Sequence, residues 1–75
     1  METYNGFRSW NAWNVSLWIN NDQFIYEFAS SLVKQYNVSL ATKIFKGYFD
    51  KTPDGAKYNT LSVFNTLKEL KESLQ

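Results

Sequence analysis

Residues 10–20 read Trp10-Asn11-Ala12-Trp13-Asn14-Val15-Ser16-Leu17-Trp18-Ile19-Asn20, and whether this run is strand or helix decides the fold. Trp13, Val15, Leu17 and Ile19 alternate as a half-buried strand would, while Trp10, Trp13, Leu17 and Trp18 recur as one helical face would. No second alternating run stands elsewhere to pair with a strand, and a lone strand is not stable. Wound as a helix, the run is apolar on nearly all sides, because Val15 and Ile19 cover much of the face opposite the tryptophans. Such a helix is expected to be surrounded by its neighbours. With Ser9 as N-cap, the spacing predicts a central helix over about 9–20.

The rest of the chain follows from that choice. Asn20-Asn21-Asp22 punctuates the sequence, and Asp22 can cap a second helix. Phe24, Ile25, Phe28, Ala29, Leu32, Val33 and Tyr36 then fall at core-facing helical spacing, which predicts a helix over 22–36, ended by Asn37 as a left-handed cap. Ser39 caps a third helix over 39–50, whose inner face is Leu40, Ala41, Ile44, Phe45, Tyr48 and Phe49. Thr42, Lys43, Lys46 and Gly47 fall outside that stripe. Thr52-Pro53-Asp54-Gly55 has the residue order of a type I turn. A last helix over 60–74 starts at Asn59 or Thr60, with Leu61, Phe64, Leu67, Leu70 and Leu74 inward and Lys68, Glu69, Lys71 and Glu72 outward. Residues 1–8 form an irregular lead-in around the Asn5-Gly6 turn, with Tyr4 and Phe7 placed to pin it to the core. The expected fold is all-α: one domain over 1–75, a bundle of four short helices.

Composition narrows the function. The chain has 75 residues, and 19% of them are aromatic, as a domain this small needs to build a core. It contains neither Cys nor His, which removes disulfides, thiolate chemistry and the commonest general base and metal ligand. Its carboxylates are scattered, and Glu69 with Glu72 read as solvated helix surface. The glycines at 6, 47 and 55 form no phosphate-cradling loop. The chain is therefore expected not to be an enzyme, to need no cofactor and to hold no metal. It shows no signal-peptide pattern and no apolar stretch near the roughly 20 residues that span a bilayer, so a cytoplasmic setting without membrane attachment is expected.

Two features suggest binding instead. Asn14 sits amid the tryptophans, where a buried amide must find partners or cost about 1–3 kcal/mol. It bonds the backbone of the lead-in or of a neighbouring helix, or else joins Trp10, Trp13 and Trp18 in an aromatic hot spot for a partner. Net charge is +1, yet between positions 34 and 57 the chain carries Lys34, Lys43, Lys46, Lys51 and Lys57 against Asp50 and Asp54, a pattern open to a nucleic-acid contact.

The stretch from Tyr4-Asn5-Gly6-Phe7 through Trp13-Asn14-Val15-Ser16-Leu17-Trp18-Ile19-Asn20-Asn21-Asp22 resembles a family of short uncharacterised proteins of bacteriophages, marine cyanophages among them, and of some bacteria and archaea. That family's hallmark is a Trp-Asn-Val-x-Leu-Trp-Ile-x-Asn-Asp run after an Asn-Gly lead-in. Thr52-Pro53-Asp54-Gly55-x-Lys57 is similar to its second short motif. The resemblance covers about a third of the chain and implies context rather than chemistry: a small accessory protein that binds something in the host. The expected function is a protein–protein interaction module acting on a host protein or on a second copy of itself. A nucleic-acid-binding accessory protein and a minor virion component are the alternatives.

Overall fold

The computed structural model describes residues 6–75, and the sequence expectation at Tyr4 lies outside them. Four helices make up the domain: α1 (Trp10–Asn21), α2 (Gln23–Gln35), α3 (Val38–Tyr48) and α4 (Thr60–Leu74). The fold is an all-α bundle, as the periodicities imply. Each helix begins where a side-chain oxygen accepts a backbone N–H three residues on. Ser9 accepts from Ala12 at 3.1 Å, Asp22 from Ile25 at 3.0 Å, Asn37 from Leu40 at 2.9 Å and Asn59 from Ser62 at 2.8 Å. Each such cap is worth about 1 kcal/mol.

Three boundaries differ from expectation: α3 ends at Tyr48, two residues early, and the junction of α2 with α3 is placed differently. Asn37 is not a left-handed terminator of α2; its backbone is extended (φ −67°, ψ 162°) and it caps α3 in place of Ser39. Tyr36 closes α2 instead, its N–H donating to the Leu32 carbonyl at 2.9 Å. Asp22 serves both neighbours at once, its N–H satisfying the Trp18 carbonyl of α1 while its side chain starts α2. The joint between α1 and α2 is thus one residue long.

The centre of the bundle is also not where the sequence places it. α2 and α4 pack against each other, α1 lies against both from one side and α3 against both from the other. α1 is therefore a flanking helix. Its third side is covered by the segment 49–59.

The core joins Val15 and Ile19 of α1, Ile25, Ala29, Leu32 and Val33 of α2, Ala41 and Phe45 of α3, and Val63, Leu67 and Leu70 of α4. Two further members, Ala56 and Tyr58, come from the 49–59 segment. Phe45 is its aromatic hub. It stacks on Phe49 at 4.8 Å between ring centroids, meets Tyr58 edge-on at 5.1 Å and lies 6.1 Å from Phe28. Tyr58 carries its hydroxyl into this interior, where it has no hydrogen-bond partner among the described residues. Burial, and then the nearby negative charge of Asp22, push the phenol up to about 12.

The inner stripes are narrower than their periodicity implies. Phe24, Tyr36, Leu40, Tyr48, Leu61 and Leu74, all expected inward, are exposed. Thr42, expected outside the stripe of α3, is buried; its hydroxyl donates to the Val38 carbonyl at 2.8 Å, so no polar group is left unsatisfied by its burial. Each stripe is wider than the area its neighbours cover, on the inner helices as on the flanking ones, and its edge residues emerge into solvent.

Candidate functional site

The 11-residue connection between α3 and α4 is an ordered part of the fold. Thr52-Pro53-Asp54-Gly55 makes its tip. The Gly55 N–H donates to the Thr52 carbonyl at 2.9 Å, and the Thr52 N–H donates to the Ala56 carbonyl at 2.8 Å. Gly55 takes φ +94°, in the left-handed region open to glycine. This is the bond pattern of a three-residue hairpin loop whose last position needs positive φ. Tyr58 N–H donates to the Asp50 carbonyl at 3.0 Å, so Lys51 and Lys57 face each other as an antiparallel pair.

This hairpin is docked on α1 by a stripe of polar side chains at i, i+3 and i+7: Asn11, Asn14 and Trp18. The Asn11 amide donates to the Lys57 carbonyl at 2.8 Å and accepts from the Lys57 N–H at 2.9 Å, as a strand neighbour would. Asn14 is 1% exposed. Its amide nitrogen donates to Asp54 Oδ2 at 2.9 Å, and its oxygen accepts from the Thr52 hydroxyl at 2.6 Å. Thr52 Oγ1 accepts in turn from the Ala56 N–H at 3.0 Å. The Trp18 indole N–H donates to the same Asp54 Oδ2 at 2.9 Å.

The sequence reading of Asn14 needs one revision. Its partners are side chains of the 52–54 turn, 38 and 40 positions away, instead of the backbone of the lead-in or of a neighbouring helix. The two segments that carry the family resemblance, Trp13–Asp22 and Thr52–Lys57, are therefore bound to each other. Asn11 completes the clamp and was missed; a cap-type residue inside an apolar helix was its available signal.

The four candidate partner residues divide in this setting. Asn14 presents no surface, and Trp18 is half-buried with its N–H committed to Asp54. Trp13 is half-buried and Trp10 is 42% exposed. Trp10, Trp13 and the half-buried Leu17 share the face of α1 left between the core and the hairpin.

Asp54 is the electrostatic element of the clamp. The bond from Asn14, and then that from Trp18, hold its carboxyl below the usual value of 3.8, against a smaller opposing effect of desolvation. Because the folded value is the lower one, Asp54 contributes stability that is present above 3.8 and is lost as pH falls through the folded value. Urea midpoints measured from neutral to acid pH should therefore drop in the acid range. In Asp54→Asn this component of the drop is expected to vanish, so an unchanged profile would remove Asp54 from the clamp's energetics.

No three acidic side chains stand close enough together to share a metal ion among the described residues. No helix among them is long and apolar enough to cross a membrane. No curated protein and no solved structure matches the chain. One family model does, that of the family of unknown function DUF7249, over residues 1–75.

Proposed function

The chain belongs to the family DUF7249, and on that premise we propose a non-enzymatic module that binds another protein through the outer face of α2 and α3. Phe24 and Tyr48 carry this reading: they are 71% and 73% exposed. Half-buried Phe28 joins them, one turn beyond Phe24 on α2 and edge-on to Tyr48 at 5.2 Å. Ile44 and Leu40 continue the strip along α3 at i−4 and i−8 from Tyr48, half-buried and exposed. Contiguous exposed aromatic surface of this kind marks interaction sites more often than chance.

The strip is apolar along its length, so the partner surface that fits it is an apolar groove. In its specific form, the module is a phage-encoded modulator of a protein in the host cytoplasm, in keeping with the resemblance of its motifs. Trp10, with Trp13, Asn14 and Trp18 behind it, offers a second contact area on α1, and the clamp keeps that area rigid.

The test is capture from host-like lysate at moderate salt, run beside the double variant Phe24→Ser/Tyr48→Ser. Both side chains are solvent-facing, so the helix signal in circular dichroism should stay unchanged while the captured band disappears. A band that survives in the double variant and is lost with Trp10→Ala would move the interface to α1. A concentration-dependent shift in sedimentation of the pure protein, abolished by the same double variant, would identify the partner as a second copy.

The nucleic-acid reading has one observation of its own. Lys51 and Lys57 lie directly opposite each other at a pair without mutual backbone bonds, where side chains approach most closely. Like charges so placed are destabilising on their own, and an added phosphate would relieve them. Oligonucleotide affinity should then fall steeply with salt.

A further inference from the structure

We propose that the cleft between α3 and the start of α4 binds a small phosphate-bearing ligand that also carries a ring or other flat apolar group. The cleft has a volume of about 340 Å³ and is lined by Ser39, Thr42, Lys43, Lys46, Thr60 and Phe64. That size sits at the low end of ligand pockets, roughly 300–1,000 Å³, and leaves room for one ring and its phosphate.

The lining is one-signed. Two lysines enter it and no carboxylate does. Lys43 and Lys46 are three positions apart on α3, so their ammonium groups share one side of the helix and repel each other. A dianion between them converts that repulsion into attraction. Lys46 is already in place: its Nζ donates to Thr60 Oγ1 at 2.7 Å. An ammonium has three donors, so two remain for a ligand, and holding the side chain beforehand lowers the ordering cost of binding.

The other groups divide the labour. The Thr42 hydroxyl is committed to the Val38 carbonyl, which leaves Ser39 and Thr60 as the hydroxyls able to reach phosphate oxygens. Half-buried Phe64, one turn after Thr60 on α4, supplies the aromatic surface for the apolar group. The larger cleft between the lead-in and α4, about 780 Å³, lacks this selectivity, since Arg8 and Lys68 share it with Glu69 and Glu72.

The site is independent of the protein partner proposed above and can fail without it. The test is an NMR titration of the isotope-labelled full chain with phenyl phosphate, adenosine monophosphate, inorganic phosphate, benzoate and a short oligothymidylate. Phenyl phosphate or adenosine monophosphate should give saturable shifts at amides 39–46 and 60–64, with a dissociation constant of about 1 mM or tighter. Inorganic phosphate, which lacks the ring, and benzoate, which has a single charge, should each bind at least about tenfold more weakly. Lys43→Gln and Lys46→Gln should each weaken phenyl phosphate several-fold while amides elsewhere keep their positions. Tighter binding of the oligonucleotide at the same amides would identify nucleic acid as the source of the phosphate; preference for the monophosphate would identify a free nucleotide or metabolite. Shifts that never saturate, that persist in both lysine variants, or that centre on Lys51 and Lys57 would overturn the proposal.

Discussion

Replacing Phe45 with alanine is expected to lower the domain's urea midpoint steeply. Phe45 is 0% exposed and joins α3 to Phe28 of α2 and to Phe49 and Tyr58 of the following segment. Phe→Ala in a core costs about 3–5 kcal/mol through lost transfer energy and the cavity left behind. A domain this size has a total stability of roughly 0.05–0.15 kcal/mol per residue, or about 4–11 kcal/mol. Loss of one side chain therefore removes about a quarter of it or more. Urea titration followed by circular dichroism reads the effect directly. A variant that keeps most of the parent's midpoint would mean that neighbouring rings close the cavity, and that the aromatic cluster adapts rather than fits.

The second large effect is expected at Asn14, for a different reason. Asn14→Ala removes one bond to a carboxylate and one from the Thr52 hydroxyl, and leaves that hydroxyl buried without its acceptor. Losses of this kind total about 2–3 kcal/mol, which in a domain of this size lowers Tm by about 10 °C or more. Trp18→Phe removes only the outer bond to Asp54 and should cost less than about 1 kcal/mol. Asn14→Asp separates packing from charge. It keeps the shape but sets a carboxylate against Asp54, so its destabilisation near neutral pH should shrink as the solution is acidified, opposite to the parent. If all three variants melt with the parent, the hairpin is held by Asn11, Ala56 and Tyr58, and the bonds of Asn14 and Trp18 contribute nothing.

What could be read in advance follows the range of the forces. Helix periods and caps act over three to five residues, and α2 and α4 are legible for that reason. The start of α3 is not legible in this way, since Asn37 and Ser39 are both able to cap; the sequence reading places it at Ser39, whereas Asn37 takes the role and lets Val38 pack against the core. The width of each buried stripe depends on what lies opposite, so the exposure of Phe24, Leu40 and Tyr48 carries no local signal. The role of residues 50–58 was the largest omission. A Thr-Pro-Asp-Gly turn announces itself, but its docking on Asn11, Asn14 and Trp18 spans 36–46 positions. The hint in the sequence was an amide among tryptophans, which says that a partner exists and not where.

The docked hairpin also inverts the usual rule for lengthening a protein. Insertions are ordinarily tolerated best in the longest irregular segment, where backbone is free and exposed. Here that segment donates two core residues, Ala56 and Tyr58, and its register is pinned at both strands. Extra residues between Asp50 and Tyr58 would shift the turn away from Asn14. The short joint ahead of Asn37 is exposed on both sides, so a tag or reporter placed there, with the Asn37 cap kept intact, meets less resistance. In this fold the shortest exposed turn, rather than the longest loop, is where an evolving or engineered chain has room to grow.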